Sequence, residues 1–290
     1  KNYTALYSME LAFQRLRDVN SEIKLPSPPG RGLCERLTTY PWKKKLVRKP
    51  EIKPRIGSEI RKRPRIDDIM IGTWNMRTML RTGSVKELTQ IICKYGIDIL
   101  AVQETRWYGQ DICDMGNLTV FKSGKSSGVK EFGTAFLVNK VYKPNVIDFR
   151  AVNERICALK LKTKFYNIWF INAHAPTEEK LDDIKDEFYN KLITLYDSFA
   201  SSDIKILLGD LNAQIGKESY YRGTIGSHSL HNICNDNGKR LVDFACSRNM
   251  IISSTCFPHK AIHKRTWRSP DGKTFSQIDH VVVDKRAASS

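Results

Sequence analysis

The sequence lacks any long apolar run. Among its 290 residues, no uninterrupted apolar stretch approaches the roughly 18 residues that a membrane-spanning helix needs. The first residues also lack the apolar core and the small-residue cleavage site of a secretory signal peptide. We therefore expect neither a signal peptide nor a membrane partner.

Paired cysteines are lacking as well. The seven cysteines include no Cys-x-x-Cys pair and no repeated metal-ligand spacing, and an odd number cannot all pair within one chain. This pattern excludes a zinc ribbon and a disulfide framework. It indicates buried thiols in a reducing compartment.

Acidic residues are the scarcer charged type. With 48 Lys and Arg against 31 Asp and Glu, the chain carries a formal net charge of +17. Such an excess favours a polyanionic partner, because basic side chains release counterions from a phosphate backbone. The alternative is a solvated basic surface.

The positive charge is concentrated between Pro41 and Arg65, where eleven Lys or Arg stand against two Glu. Few aliphatic residues accompany them, so this segment cannot bury enough apolar surface to offset its chain entropy. We expect residues 1–66 to form a basic, mostly flexible N-terminal arm. Two runs within it, Lys43–Lys45 and Arg61–Arg65, resemble nuclear localisation signals and favour the nucleus, with a non-specific phosphate-binding tract as the alternative.

Apolar strands and amphipathic helices alternate beyond this arm, which predicts one α/β domain over residues 67–290. The predicted elements include a strand at 69–74, a helix from Ser84 to Tyr95 that stops at Gly96, a hairpin of 155–162 with 165–171, and helices within 178–199 and 238–248. Ser84 and Glu87 match a capping box. Mixed hairpins and crossovers indicate sheets packed face to face with helices outside.

Polar residues stand where the apolar strands end. They are Asn75, Glu104, His174, Asp210 with Asn212, and Asp279 with His280. Strands that are apolar on both faces lie inside a molecule, so their ends form a rigid rim on which carboxylates, amides and an imidazole gather. Such a rim resembles a metal-assisted phosphodiesterase site.

Hydrolysis of a phosphodiester needs a cation, a group that activates water, and donors that hold the phosphate. Mg²⁺ prefers oxygen ligands, and Glu104 is the best candidate for its carboxylate ligand. Asn75 either orients the Glu104 carboxylate or contacts the metal through its amide oxygen. Asp210 can accept a proton from water while Asn212 donates to phosphate. Each residue also fits an ordinary role: Asn75 and Asn212 as turn formers, Glu104 as a surface acid, and His174 as a core histidine.

Six short motifs carry a resemblance to a known superfamily. They are Gly72–Arg77, Gln103–Arg106, Asn172–Pro176, Gly209–Ala213, Arg265–Trp267 and Gln277–His280. In this order they resemble the endonuclease/exonuclease/phosphatase superfamily, most closely the endonuclease domain of non-LTR (LINE-type) retrotransposons and the craniofacial development protein 2-like proteins. The resemblance covers about residues 69–290.

The resemblance implies a two-sheet α/β sandwich flanked by helices, which is the deoxyribonuclease-like fold. It also implies a retrotransposon-derived DNA endonuclease that uses Mg²⁺, or alternatively Mn²⁺, and nicks one strand of duplex DNA to leave a 3′-hydroxyl. We expect duplex DNA as the partner, no small-molecule cofactor, and a monomer.

Residue roles follow from the resemblance position by position. Asn75 and Glu104 form the metal site, with Glu104 as the direct ligand. His174 takes a phosphate-contacting or acid role. Asp210 activates or positions the attacking water, and Asn212 binds the phosphate.

Three further residues receive roles in the same way. Asp279 matches the aspartate that orients a later catalytic histidine. Arg106 and Trp267 lie near the DNA backbone and minor groove, with core packing as the alternative for Trp267.

One departure from the family pattern concerns that later histidine. It belongs to a Ser-Asp-His motif beyond the strand that here ends at Asp284, and the sequence given ends at Ser290. We therefore expect the final strand of the fold and this histidine to be missing. His280 directly follows Asp279 and is a poor substitute.

Two other functions stay open. One is a different substrate within the superfamily, such as an inositol polyphosphate, a sphingolipid or a poly(A) tail; the charge of +17, with Arg106 and Trp267, favours duplex DNA instead. The other is an inactive or domesticated relic that binds nucleic acid or a protein partner.

Overall fold

A computed structural model describes residues 69–288 of the chain together with Gln14–Arg15. Apart from those two residues, the predicted arm and both of its basic runs lie outside the described part. The flexibility of residues 1–66 therefore stays a prediction.

The described residues form fourteen strands and five α-helices. The strands are β1 (Gln14–Arg15), β2 (Met70–Asn75), β3 (Ile99–Gln103), β4 (Gln110–Met115), β5 (Leu118–Ser123), β6 (Thr134–Asn139), β7 (Val146–Ala151), β8 (Ile156–Lys162), β9 (Asn167–His174), β10 (Ile204–Asp210), β11 (Met250–Ile252), β12 (Trp267–Arg268), β13 (Phe275–Ser276) and β14 (Asp279–Asp284). The helices are α1 (Ser84–Tyr95), α2 (Asp182–Asp197), α3 (Asp236–Ser247), α4 (Ala261–Lys264) and α5 (Lys285–Ala288).

Two six-stranded mixed sheets organise the domain. The first has the order β1-β2-β3-β6-β5-β4, and the second has the order β11-β14-β10-β9-β8-β7. Strands β2 and β3 are parallel neighbours in the first sheet, as are β9 and β10 in the second. Because parallel neighbours end at the same edge of a sheet, each sheet brings two strand ends together. A separate two-stranded hairpin pairs β12 with β13.

Three buried apolar clusters define the layers. The cluster between the sheets includes Ile99 and Phe136 from the first sheet and Phe170 and Ile206 from the second. A second cluster packs α1 against the outer face of the first sheet, through residues such as Leu88. The third packs α2 and α3 on the outer face of the second sheet. The predicted two-sheet α/β sandwich flanked by helices is confirmed.

Most of the predicted elements are present, with one local error. Helix α1 spans the predicted residues and ends at Gly96, which has the left-handed backbone (φ 65°) of a C-terminal cap. The predicted capping box is wrong: Gly83 is the N-cap residue, the Ser84 hydroxyl donates to the Arg81 carbonyl, and Glu87 pairs with the Arg81 guanidinium. The two helices predicted later along the chain correspond to α2 and α3, and the predicted hairpin is the antiparallel pair of β8 and β9.

No helix in the described part of the chain is long and apolar enough to cross a membrane.

Candidate active site

The predicted polar residues meet at one edge of the sandwich, because the strands that carry them end there. In the second sheet, Asp210 is the register partner of His174 on β9 and of Asp279 on β14. In the first sheet, Asn75 ends β2 beside the end of β3, and Glu104 follows β3 directly. Each sheet therefore contributes one group of polar side chains to the same edge.

Asn75 connects the two groups. Its Nδ2 donates to the Glu104 Oε1 at 2.8 Å and to the Asp210 Oδ2 at 2.9 Å. One amide nitrogen thus holds carboxylates that belong to different sheets and lie 106 residues apart in the sequence. The Asn75 Oδ1 accepts from the Arg77 backbone N–H at 2.9 Å, which favours an orienting role over direct metal contact.

A cavity of about 170 Å³ lies over this group. Its lining includes every predicted site residue except Arg106, namely Asn75, Glu104, His174, Asp210, Asn212, Trp267 and Asp279. Arg106 stands outside the lining but places its guanidinium 3.7 Å from the Glu104 carboxylate. His280 does not line the cavity, in agreement with its rejection as a catalytic substitute. A larger, open groove of about 680 Å³ runs along α2, but none of these residues lines it.

The backbone is strained at the edge of the cavity. Four non-glycine residues there have positive φ angles: Arg77 (57°), Glu104 (54°), Arg106 (58°) and Asn212 (47°). Each such conformation costs about 1 to 3 kcal/mol and persists only where the surroundings enforce it. Strained residues of this kind cluster at functional sites.

His174 is buried beside Glu104. Its Nε2 lies 3.8 Å from the Glu104 Oε1, and its Nδ1 is buried without a hydrogen-bond partner. Burial, aided by the Arg155 charge and opposed by Glu104, lowers the pKa of His174 to about 4. The imidazole is therefore neutral at pH 7, which favours phosphate contact over the acid role.

Asp210 and Asp279 form a buried carboxyl pair. Asp210 accepts from the Asn75 amide and, at 3.1 Å, from the Asn212 backbone N–H. Burial raises the pKa of Asp210, and those hydrogen bonds oppose the rise. Burial and then the Asp210 charge raise the pKa of Asp279 well above its usual value. Because Asp210 has more hydrogen-bond donors and the pKa of Asp279 is raised well above its usual value, a proton taken up by the pair belongs on Asp279.

Asn212 lies beside this pair at the mouth of the cavity. Its side-chain Nδ2 donates to the Ala175 carbonyl at 2.9 Å. A primary amide has two N–H groups, so one remains to donate to a phosphate oxygen.

The donor set fits a hard cation that keeps part of its hydration shell. Glu104 is partly exposed, and Asp210 lies close enough to share the Asn75 amide. No group of three or more His, Cys, Asp or Glu side chains in the described ranges could hold a metal ion. Mg²⁺ needs only one or two carboxylates beside water and substrate phosphate, so these residues fit Mg²⁺ better than an ion that requires an all-protein cage.

Three residues at or beside the cavity were not predicted from the sequence. Two of them, Arg77 and Thr266, line the cavity. Each lies in one of the six motifs, close to Asn75 or Trp267, and this proximity could have identified them. Arg155 had no local signal. Its Nη1 donates to the His174 carbonyl at 3.1 Å, and its guanidinium lies 3.8 Å from the centre of the Phe132 ring, which itself contacts the His174 ring.

The profile of the Endonuclease/Exonuclease/phosphatase family matches residues 72–289, which include every motif and all of the cavity lining. The chain belongs to the endonuclease/exonuclease/phosphatase family. Members of this family are hydrolases that act on phosphodiester bonds.

One curated relative in the family is craniofacial development protein 2 from Tragulus javanicus. It is 30 % identical over 224 residues, which cover 77 % of this chain. The chain spans 38 % of the length of that relative. The predicted resemblance to craniofacial development protein 2-like proteins is thereby confirmed.

Two solved structures in the family share the fold. An AP endonuclease from Archaeoglobus fulgidus has a TM-score of 0.55 at 15 % identity, covering 76 % of this chain and 88 % of its own. The 3′ phosphatase NExo from Neisseria, bound to product DNA hairpin, has a TM-score of 0.54 at 17 % identity, with coverage of 76 % and 88 %. At these identities the likeness concerns the fold alone.

Proposed function

We propose that this chain is a Mg²⁺-dependent DNA endonuclease that nicks one strand of duplex DNA and leaves a 3′-hydroxyl. The observation that carries the proposal is the Asn75 amide, which joins the Glu104 and Asp210 carboxylates in one cavity. A cation and a water-activating base have to act on the same phosphate. The proposed cation ligand, Glu104, and the proposed base, Asp210, both accept a hydrogen bond from the Asn75 amide, so they lie close together.

Glu104 is the residue that would hold the ion, and Asn75 orients its carboxylate. When bound there, Mg²⁺, or Mn²⁺ in its place, would supply positive charge to the phosphoryl oxygens. The strained backbone of Glu104 and the nearby Arg106 guanidinium fix where that carboxylate points. Arg77 and Arg106 also add positive charge beside the entry of the cavity.

Asp210 would accept the proton of the attacking water. The Asn75 amide and the Asn212 N–H favour its ionised form, while Asp279, whose pKa is raised further, would take up a proton first. A buried carboxylate with a raised pKa is a stronger base than an exposed one, which suits proton abstraction near neutral pH.

His174 and Asn212 would hold the phosphate from the second sheet. The neutral imidazole can donate one N–H, and the free amide hydrogen of Asn212 can donate another. Donors fixed before the substrate arrives stabilise charge that develops on the phosphoryl oxygens.

Duplex DNA suits this site better than a small phosphoester. The cavity of about 170 Å³ is smaller than the roughly 300 to 1,000 Å³ of small-molecule sites, so it would enclose little of an inositol polyphosphate or lipid head group. Trp267 and Arg106 at its edge and the net charge of +17 suit a phosphate backbone. A relative of the same fold was solved with product DNA.

The finer parts of the proposal rest on the sequence. The retrotransposon-type motifs support an origin in a non-LTR element, and the basic runs Lys43–Lys45 and Arg61–Arg65 support a nuclear location. A monomer is proposed because one chain carries the whole set of cavity residues.

Nicking of supercoiled plasmid in Mg²⁺ tests the function. The parent should convert supercoiled plasmid to open circles, and Asp210→Asn should slow this on the order of 1,000-fold, because the water loses its base. Asp197→Asn is the matched control: Asp197 is an exposed carboxylate at the end of α2, paired with Arg248, and its loss should leave the rate unchanged.

Three results would overturn the proposal. Nicking by Asp210→Asn at the parental rate removes the proposed base. Phosphate release from an inositol polyphosphate without plasmid nicking points to the other superfamily substrates. Salt-sensitive DNA binding that Glu104→Ala leaves unchanged, with no nicking in Mg²⁺, identifies a binding relic.

A further inference from the structure

Two fully buried amide side chains connect the sheets directly beneath the cavity. Gln103 is the last residue of β3 and precedes Glu104, and Asn172 lies on β9 two residues before His174. Both side chains are 0 % exposed. Polar groups in such a position are costly to bury unless they are hydrogen-bonded.

These amides are bonded to each other and to three strands of the first sheet. The Gln103 Nε2 donates to the Asn172 Oδ1 at 2.7 Å and to the Thr73 Oγ1 on β2 at 3.0 Å. The Asn172 Nδ2 donates to the carbonyls of Val102 on β3, at 3.0 Å, and of Ala135 on β6, at 2.9 Å. Strand β9 is thus bonded directly to β3 and β6, and the Gln103 side chain extends the network to β2 within the first sheet.

The other side chains packed between the sheets are mainly apolar, and at the edge of the cavity the Asn75–Asp210 hydrogen bond also joins the two sheets. Apolar packing tolerates small shifts and alternative arrangements, whereas hydrogen bonds fix distance and angle. The site is divided across this contact: Asn75 and Glu104 come from the first sheet, and His174 and Asp210 come from the second. A shift of one sheet against the other would therefore change the distances on which the site depends.

We propose that Asn172 and Gln103 are positioning residues that hold the two halves of the site in register. Their effect on catalysis rests on the proposed function, but their effect on the geometry of the strand ends does not. Neither side chain lines the cavity, so they act through Glu104 and His174 rather than on the substrate.

The test compares Asn172→Leu with the double variant Gln103→Met/Asn172→Leu. The single variant leaves the Gln103 amide short of a partner and should be less stable, whereas replacing both amides with apolar groups of similar shape should restore most of the stability. Ile206→Val is the control, because Ile206 is buried in the same contact between the sheets and makes no part of the amide network.

Two readouts follow the strand ends. The first is hydrogen exchange at the amides of Met76 and Ala175, which donate to the Gln103 and Asp210 carbonyls beside the cavity. We expect exchange to be about tenfold faster in both the single and the double variant, and unchanged in Ile206→Val. The second is plasmid nicking, where kcat should fall on the order of 100-fold with little change in KM.

The double variant shows whether the amides of Asn172 and Gln103 position the site or only stabilise the fold. We expect most of the parental thermal stability together with fast exchange and low kcat. The inference is overturned if exchange and kcat return to parental values in the double variant, or if Asn172→Leu changes exchange no more than Ile206→Val does. If the parent itself fails to nick DNA, the proposed function is lost, and the exchange comparison still decides this inference.

Discussion

His280 illustrates how a single buried residue supports the site without entering it. Its Nε2 donates to the Ala213 carbonyl at 2.8 Å, and its Nδ1 accepts from the Ser254 hydroxyl at 2.7 Å. Because a carbonyl can only accept, the hydrogen of the neutral imidazole lies on Nε2, and Nδ1 is left to accept from the Ser254 hydroxyl. Ala213 directly follows Asn212, so His280 fixes the segment that carries the residue proposed to bind the phosphate.

The His280 imidazole should make the fold sensitive to acid. Burial lowers the pKa of His280 to about 4, from the usual value of 6.5. The folded protein therefore stays neutral at this position while the unfolded chain takes up a proton. The stabilising contribution is fully present above pH 6.5, and it is lost as the pH falls from 6.5 towards 4, to a total of about 3 kcal/mol.

Urea unfolding at pH 7 and pH 4.5 measures this loss. Between these values His280→Gln should lose about 2 kcal/mol less unfolding free energy than the parent, because glutamine has no proton to take up. The comparison cancels the acid response of His174 and the carboxylates, which both proteins share. An equal loss in the two proteins would show that the parental His280 is already protonated in the fold or is not buried.

At the scale of elements, β10 depends on a glycine next to the end that carries Asp210. Gly209 has φ 151° and is the register partner of Ala173 on the parallel strand β9. A Cβ atom added at Gly209 would lie 1.9 Å from the Ala173 carbonyl oxygen, which belongs to the backbone and cannot swing away. The close approach of β9 and β10 at Asp210 and His174 therefore requires glycine.

Gly209→Ala should destabilise the fold by about 3 kcal/mol, from strain and steric overlap together. Gly116→Ala is the matched control. Gly116 also has a positive φ (58°), but nothing lies within 4 Å of its added Cβ, so only the backbone cost of about 1 kcal/mol applies. Thermal unfolding of the two variants measures the difference, and equal losses would mean that β9 can move away from β10 freely.

Helix α1 could be predicted from the sequence, whereas its capping contacts and the need for Gly209 in β10 could not. Helix α1 was predictable because both of its signals are local: the spacing of its apolar residues, and Gly96 directly after its last turn. Its N-terminal capping contacts were not, because Arg81 lies before the helix and binds both members of the expected capping box, Ser84 and Glu87. The need for glycine at position 209 was not predictable, because the Ala173 backbone that it contacts is distant in sequence.

At the scale of the whole molecule, two sheets meet so that their strand ends share one cavity. Asn75, Glu104 and Asp210 were predictable as site residues because each follows a strand that is apolar on both faces. Arg155 was not, because it reaches His174 only through the pairing of β8 with β9. The amides of Gln103 and Asn172 were visible inside motifs, but their contact depends on how the sheets are stacked.

Mn²⁺ binding, followed by electron paramagnetic resonance of the free ion, tests the central claim that these strand ends form one cation site. The parent should bind Mn²⁺, and Glu104→Gln should weaken binding at least about tenfold. Glu87→Gln, which alters an exposed glutamate paired with Arg81 on α1, should bind as the parent does. Equal Mn²⁺ affinity in the parent and in Glu104→Gln would contradict the account.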